Sequence, residues 1–70
     1  MRQVILIADL EDGGYVVEVP SLPGCISQGD TYDEALENIK DAIQGYIDSL
    51  EADGLPVPAE DAARVLIAEV

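Results

Sequence analysis

Histidine, tryptophan and phenylalanine are missing from this chain, and cysteine occurs once. Without an imidazole no Ser–His or Cys–His pair can be assembled, and one thiol with no nitrogen ligand is a poor start for a zinc site. Cys25 as a nucleophile would need a base or cations to lower its pKa, whereas the charges near it are acidic. It is therefore read as a buried small hydrophobe. A lone cysteine also excludes an internal disulfide framework and suits a reducing cytoplasm, the expected location. Nucleotide motifs are lacking too: "EDGGY" and "LPGC" match neither glycine-rich pattern, and neither is followed by the Lys of a P-loop. "DLEDGG" sets carboxylates beside glycine but lacks the alternating ligands and distal Glu of an EF-hand loop, so it reads as a turn. No metal or cofactor is expected, and the chain is not read as an enzyme.

Positive charge is scarce. Arg2, Lys40 and Arg64 stand against 15 acidic residues, for a formal net charge of -12. Duplex nucleic acid carries about one phosphate charge per 1.7 Å, and three scattered cations cannot form a patch to meet it, so direct nucleic-acid binding is not expected. The acid either serves solubility or complements a basic protein partner, since opposite fields speed encounter and suppress wrong partners. Long apolar runs are absent as well. The opening "MRQVILIADL" is broken by Asp9, and Glu11 and Asp12 follow where a signal peptide would need a small-residue cleavage site. It reads as a strand, and no membrane contact is expected.

What remains is a globular composition, about half apolar, with Tyr15, Tyr32 and Tyr46 as its only aromatics. Seventy residues make one domain, 1–70, with an aliphatic core too small to leave much spare stability. Residues 3–10 and 15–19 are β-branched runs on either side of "EDGG", the pattern of a hairpin. With Asp12-Gly13 at the centre of a type I′ turn, Leu10 faces Tyr15, Ala8 faces Val17 and Leu6 faces Val19. One face then carries Val4, Leu6, Ala8, Leu10, Tyr15, Val17 and Val19, and the other Ile5, Ile7, Asp9, Val16 and Glu18. A four-residue loop would keep these faces, because only an odd shift swaps them, but is disfavoured for setting Asp9 opposite Glu18. In the tighter turn Glu18 lies diagonal to Asp9, about 7–8 Å away. Such a pair could begin a two-metal nuclease site, yet no further acid is clearly placed to complete it.

"PSLPG" cannot continue a ladder, and Pro23-Gly24 suits the middle of a type II turn before a short third strand over residues 25–28. Thr31 with Glu34 then forms a capping box. Leu36, Ile39, Ile43, Tyr46, Ile47 and Leu50 recur at helical spacing, opposite Asp33, Glu37, Lys40, Asp41, Asp48 and Glu51. Gly45 interrupts this helix, either for a close backbone approach or incidentally. Gly54 is its natural C′ residue, before Pro56 and Pro58. Residues 63–70, "ARVLIAEV", read as a last strand returning parallel to the first. The expected fold is α+β, in the order β-β-β-α-β, a four-stranded mainly antiparallel sheet with one helix on one face. Its other face leaves Ile5, Ile7 and Val16 uncovered unless a second chain pairs there, as in a homodimer or higher homo-oligomer.

Residues 12–47 resemble the N-terminal domain of the HicB antitoxin family. The matching positions are Gly14-Tyr15, the corner Pro20-x-Leu22-Pro23-Gly24-Cys25, Gly29, and Thr31-x-x-Glu34-Ala35 opening the helix. The resemblance implies a partial RNase H-like fold with the fourth strand beside the first. It implies a basic HicA-type toxin as partner, a small ribonuclease of double-stranded-RNA-binding-like fold that uses a catalytic His on mRNA. Two departures stand out. Ser21 occupies a position often acidic in the family, and the chain ends at Val70 without the DNA-binding domain usually appended, so direct operon repression is not expected. The function expected is a binding module that sequesters a basic ribonuclease through Asp9, Val16 and Glu18 on the hairpin and Glu37, Asp41 and Asp48 on the helix. The alternative is an orphan homo-oligomeric structural or regulatory domain joined through Ile5, Ile7 and Val16.

Overall fold

A computed structural model describes residues 1–70. Three strands, β1 (Ile5–Ala8), β2 (Tyr15–Glu18) and β3 (Ile26–Gly29), form an antiparallel sheet in the order β1-β2-β3, and α1 (Tyr32–Ala52) packs on one face. A single 3₁₀ turn at Glu60–Ala62 follows. The α+β class and the β-β-β-α order are as expected. The fourth strand is not: residues 63–70 have no regular structure, and none of their backbone groups bonds to another. The physical reason lies in the approach. The chain before residue 63 is pinned at the start of the hairpin, Arg2 donating to Ser21 Oγ (2.9 Å) and the Pro58 carbonyl (2.6 Å) while Glu60 accepts from the Gln3 N–H (2.9 Å). Beyond this anchor Leu66, Ile67 and Val70 are exposed, and β1 keeps β2 as its only strand partner. No helix is long and apolar enough to cross a membrane.

The hairpin register also differs from the two-residue turn. Ala8 pairs with Tyr15, Ile7 with Val16, Leu6 with Val17 and Ile5 with Glu18. Four residues, 10–13, form the loop between Asp9 and Gly14, and Leu10 projects into solvent instead of joining the apolar face. This loop is also not the four-residue one that would set Asp9 opposite Glu18, since Asp9 lies opposite Gly14 and Glu18 opposite Ile5; local hydrogen bonding explains why it forms. Asp9 Oδ1 accepts from the N–H groups of Glu11 and Asp12, both at 3.0 Å, while the Asp9 carbonyl accepts from Gly13 N–H at 2.9 Å. Gly13 and Gly14 then take φ of 81° and 84°, which side-chain-bearing residues rarely adopt. Because the slip is even, the faces survive: Leu6 and Tyr15 still pack on the core beside Val17.

That core is Val17, Val19, Leu22, Cys25, Ala35 and Ile39, with Val4, Ala42, Ile43 and Tyr46 against it. The corner supplies two of the six, Leu22 and Cys25. Cys25 N–H donates to the Leu22 carbonyl across Pro23-Gly24 (3.0 Å), as the expected turn requires, and Tyr46 Oη donates to the Pro23 carbonyl (2.8 Å), tying the corner to α1. Gly29 lies directly under the first turn of α1, where an added Cβ would fall 2.8 Å from Ala35 Cα. Helix and sheet can meet this closely only because one partner is glycine and the other alanine.

Thr31 caps α1, its Oγ1 accepting from Glu34 N–H at 3.1 Å. The return bond of the capping box, from Thr31 N–H to the Glu34 carboxylate, is not made. At the other end, Gly54 N–H donates to Glu51 O (3.1 Å) and Leu55 N–H to Leu50 O (2.9 Å), the paired bonds of a Schellman motif. Gly45 is exposed, and a Cβ there would meet nothing within 4 Å, so no backbone of this chain approaches it.

Candidate functional site

Period-two alternation sends Val17 to the helix side and Val16 and Glu18 to the outer side of the sheet. Across β2 the outer rows run Ile7–Val16–Gln28 and Ile5–Glu18–Ile26. The Glu18 carboxylate thus rises between two isoleucines in a patch where Ile7, Val16 and Ile26 are 59%, 43% and 57% exposed. Ile26 belongs to this patch although the sequence reading singled out only Ile5, Ile7 and Val16. The signal was available, since Cys25 is buried and its neighbour in a strand must point the other way.

Asp9 does not join Glu18. It sits beside Gly14 at the loop end, while Glu18 pairs with Ile5 at the far end. Four residues of strand, roughly 13 Å, separate the two positions. The diagonal carboxylate pair expected from the tight turn is therefore not formed, which removes the start of a nuclease site. Nor do three Cys, Asp or Glu side chains converge anywhere as metal ligands.

Instead Asp9 borders a hollow of about 340 Å³ at the loop end of the sheet, together with Val16, Gln28, Asp30, Glu34 and Asn38. The fold brings these together because Gly14 and Gly29 lie side by side, which sets the hairpin loop against the start of α1. Asn38 Nδ2 donates to the Gln28 carbonyl (2.7 Å) and holds one wall in place. Sequence reasoning missed Asp30 and Glu34 here, as their nearness to Asp9 depends on the β2–β3 register. The hollow is acidic and open, suited to cationic side chains.

Glu37, Asp41 and Asp48 are exposed on α1. Steps of four and seven residues keep them on one stripe about 16 Å long. Lys40 Nζ lies 3.2 Å from Glu37 Oε1, and Gln44 Nε2 donates to Asp48 Oδ1 at 2.8 Å. An ion pair so exposed contributes little and leaves the stripe negative. The structural-motif positions fall elsewhere: Leu22, Cys25, Gly29 and Ala35 are buried, and Thr31 caps the helix. Burial pushes the Cys25 thiol up from its ordinary value, so the thiolate needed for nucleophilic attack is disfavoured. Ser21, also buried, bonds to Arg2 and donates to Glu60 Oε2 (3.4 Å), so a carboxylate at this corner comes from Glu60.

Residues 3–69 match the family described as the HicB-like antitoxins of bacterial toxin–antitoxin systems. The chain is 46% identical over 67 residues to a UPF0150 protein of Thermoplasma acidophilum, covering 96% of this chain and 97% of that one. It is 53% identical over 57 residues to a UPF0150 protein of Synechocystis, covering 81% of this chain and 72% of the other. A protein named Antitoxin HicB 1, from Photorhabdus laumondii, is 39% identical over 62 residues, which cover 83% of this chain and 40% of that longer protein.

Proposed function

This chain belongs to the HicB-like antitoxins of bacterial toxin–antitoxin systems, and from that premise we propose that it is a non-catalytic module that sequesters a basic ribonuclease toxin of the HicA type. The observation that carries this reading is charge: a net -12 on 70 residues, with Glu37, Asp41 and Asp48 in one exposed stripe and Asp9 at the rim of an acidic hollow. A basic toxin brought to this surface would be attracted over several ångströms and held away from its RNA by the bulk of the bound domain. Glu18, flanked by Ile5 and Ile26 with Val16 alongside, offers a mixed apolar and anionic contact of the kind that fixes register once encounter has occurred.

The test is co-expression and pull-down with the basic, histidine-containing product of a neighbouring reading frame, followed by binding kinetics across a salt series. Affinity should fall as salt rises, and the double reversal Asp41→Lys/Asp48→Lys should slow association roughly tenfold or more while leaving dissociation little changed. An affinity equal at low and high salt would sink the mechanism. The exposed outer face favours a second reading, an orphan homo-oligomeric regulator joined through Ile5, Ile7, Val16 and Ile26. It is distinguished by sedimentation on dilution, with Ile7→Glu dissolving the assembly.

A further inference from the structure

The toxin-binding reading leaves three features of the fold unused. The first is the segment 63–70, which extends from Ala63 (φ -140°, ψ 152°) with no backbone hydrogen bond to the rest of the chain. Its Leu66 and Ile67 are 78% and 93% exposed. The second is the free edge of β1, whose only strand partner is β2. The third is an apolar groove of about 250 Å³ between α1 and the chain that enters β1, lined by Met1, Arg2 and Val4 on one side and Leu36, Ile39, Lys40 and Ile43 on the other.

An unpaired strand edge next to an apolar groove is a template for an added strand: the edge supplies main-chain hydrogen bonds and the groove takes every second side chain. The segment 63–70 has the composition to be that strand, with Val65, Leu66, Ile67 and Val70 among eight residues. We propose that two copies of this chain exchange these segments, the arm of each adding to β1 of the other and seating its apolar side chains between α1 and the chain that enters β1. One arm and one groove per copy is the condition for a closed two-fold exchange, in which neither is left over.

The surface area agrees with a missing partner of this size. The chain exposes 5302 Å², against roughly 4,200 Å² expected for a compact monomer of this mass. The excess, on the order of 1,100 Å², is comparable with the roughly 800 Å² per partner that a stable interface buries. Its radius of gyration, 13.2 Å, likewise exceeds the about 11 Å of a compact chain of this length. A second copy is favoured over a foreign strand because every copy carries both halves of the contact. The exchange does not depend on a toxin being bound.

Sedimentation equilibrium of the full chain over a dilution series tests it. A dimer is expected, and it should tighten on adding salt, which screens the repulsion between two chains of charge -12. The double substitution Leu66→Asp/Ile67→Asp covers both faces of the arm and alters side chains that are solvent-exposed in the single chain. It should keep the circular dichroism of a folded protein while weakening the dimer roughly a hundredfold or more. A strict monomer at all concentrations overturns the proposal. So does a dimer indifferent to that substitution and dissolved by Ile7→Glu, which would place the contact on the outer sheet face. The direction of the exchange is read from Lys40→Cys/Ile67→Cys oxidised at low concentration: a two-chain disulfide species is expected, and a bridge within one chain overturns it.

Discussion

Two glycines in this chain look alike on paper and have opposite consequences. Gly29 sits under α1, where a Cβ would fall 2.8 Å from Ala35 Cα, whereas at Gly45 a Cβ would meet nothing. Gly29→Ala must push helix and sheet apart, and is expected to cost about 1–3 kcal/mol or more. Gly45→Ala removes backbone entropy in an exposed helix position and should stabilise by up to about 1 kcal/mol. Urea denaturation of the two variants checks the contrast, and equal effects would mean the close approach at Gly29 is absent. The family motif could be read at Gly29 without revealing this cause, because the helix residue it touches is fixed by packing. Cys25 is a case where the residues alone sufficed. With no histidine in the chain to serve as its base, the thiol was read as a buried hydrophobe, and burial raises its pKa.

At the scale of elements, the pieces set by near neighbours were legible. The corner turn, the Thr31 cap and the end of the helix at Gly54 all depend on residues a few positions apart, and all form. Thr31→Ala should cost about 1 kcal/mol by leaving the Glu34 N–H without its acceptor. Thr31→Ser, which keeps a hydroxyl, should recover most of it in the same thermal melts. The hairpin shows the limit of local reading. "EDGG" supports a two-residue or a four-residue loop, and the choice fell to the Asp9 carboxylate, whose two bonds to Glu11 and Asp12 favour the longer one. The faces were robust to that error and the cross-strand partners were not, which is why Ile5, Ile7 and Val16 share the outer patch as expected while Asp9 lies neither opposite Val16 nor diagonal to Glu18. The last strand fell for a related reason: apolar composition qualifies residues 63–70 to pair, but cannot say with what.

For the molecule as a whole, charge and size oppose one another. The buried core holds six apolar side chains, and a net -12 sets the surface against itself. Screening that repulsion should raise the melting temperature by a few degrees between about 10 mM and 150 mM salt, as the Debye length falls from roughly 30 Å to 8 Å. A melting temperature that fell over this range would show that specific surface ion pairs outweigh the general repulsion. Salt thus acts in opposite directions on the two associations proposed: it should weaken capture of a basic toxin and strengthen the union of two like chains.

The sequence by itself determined the charge, the burial of Cys25, the two faces of the hairpin, the corner, the cap and the HicB-like kinship, because each rests on residue chemistry or on neighbours close along the chain. Only the tertiary structure decided which residues share the outer patch with Glu18, that Asp9 keeps company with Asp30 and Glu34, and that β1 keeps an open edge while an apolar groove lies between α1 and the chain that enters β1. Those outcomes depend on which of several competing non-local pairings has the lowest free energy. A strand's pattern states what it could bury, and the rest of the fold selects where.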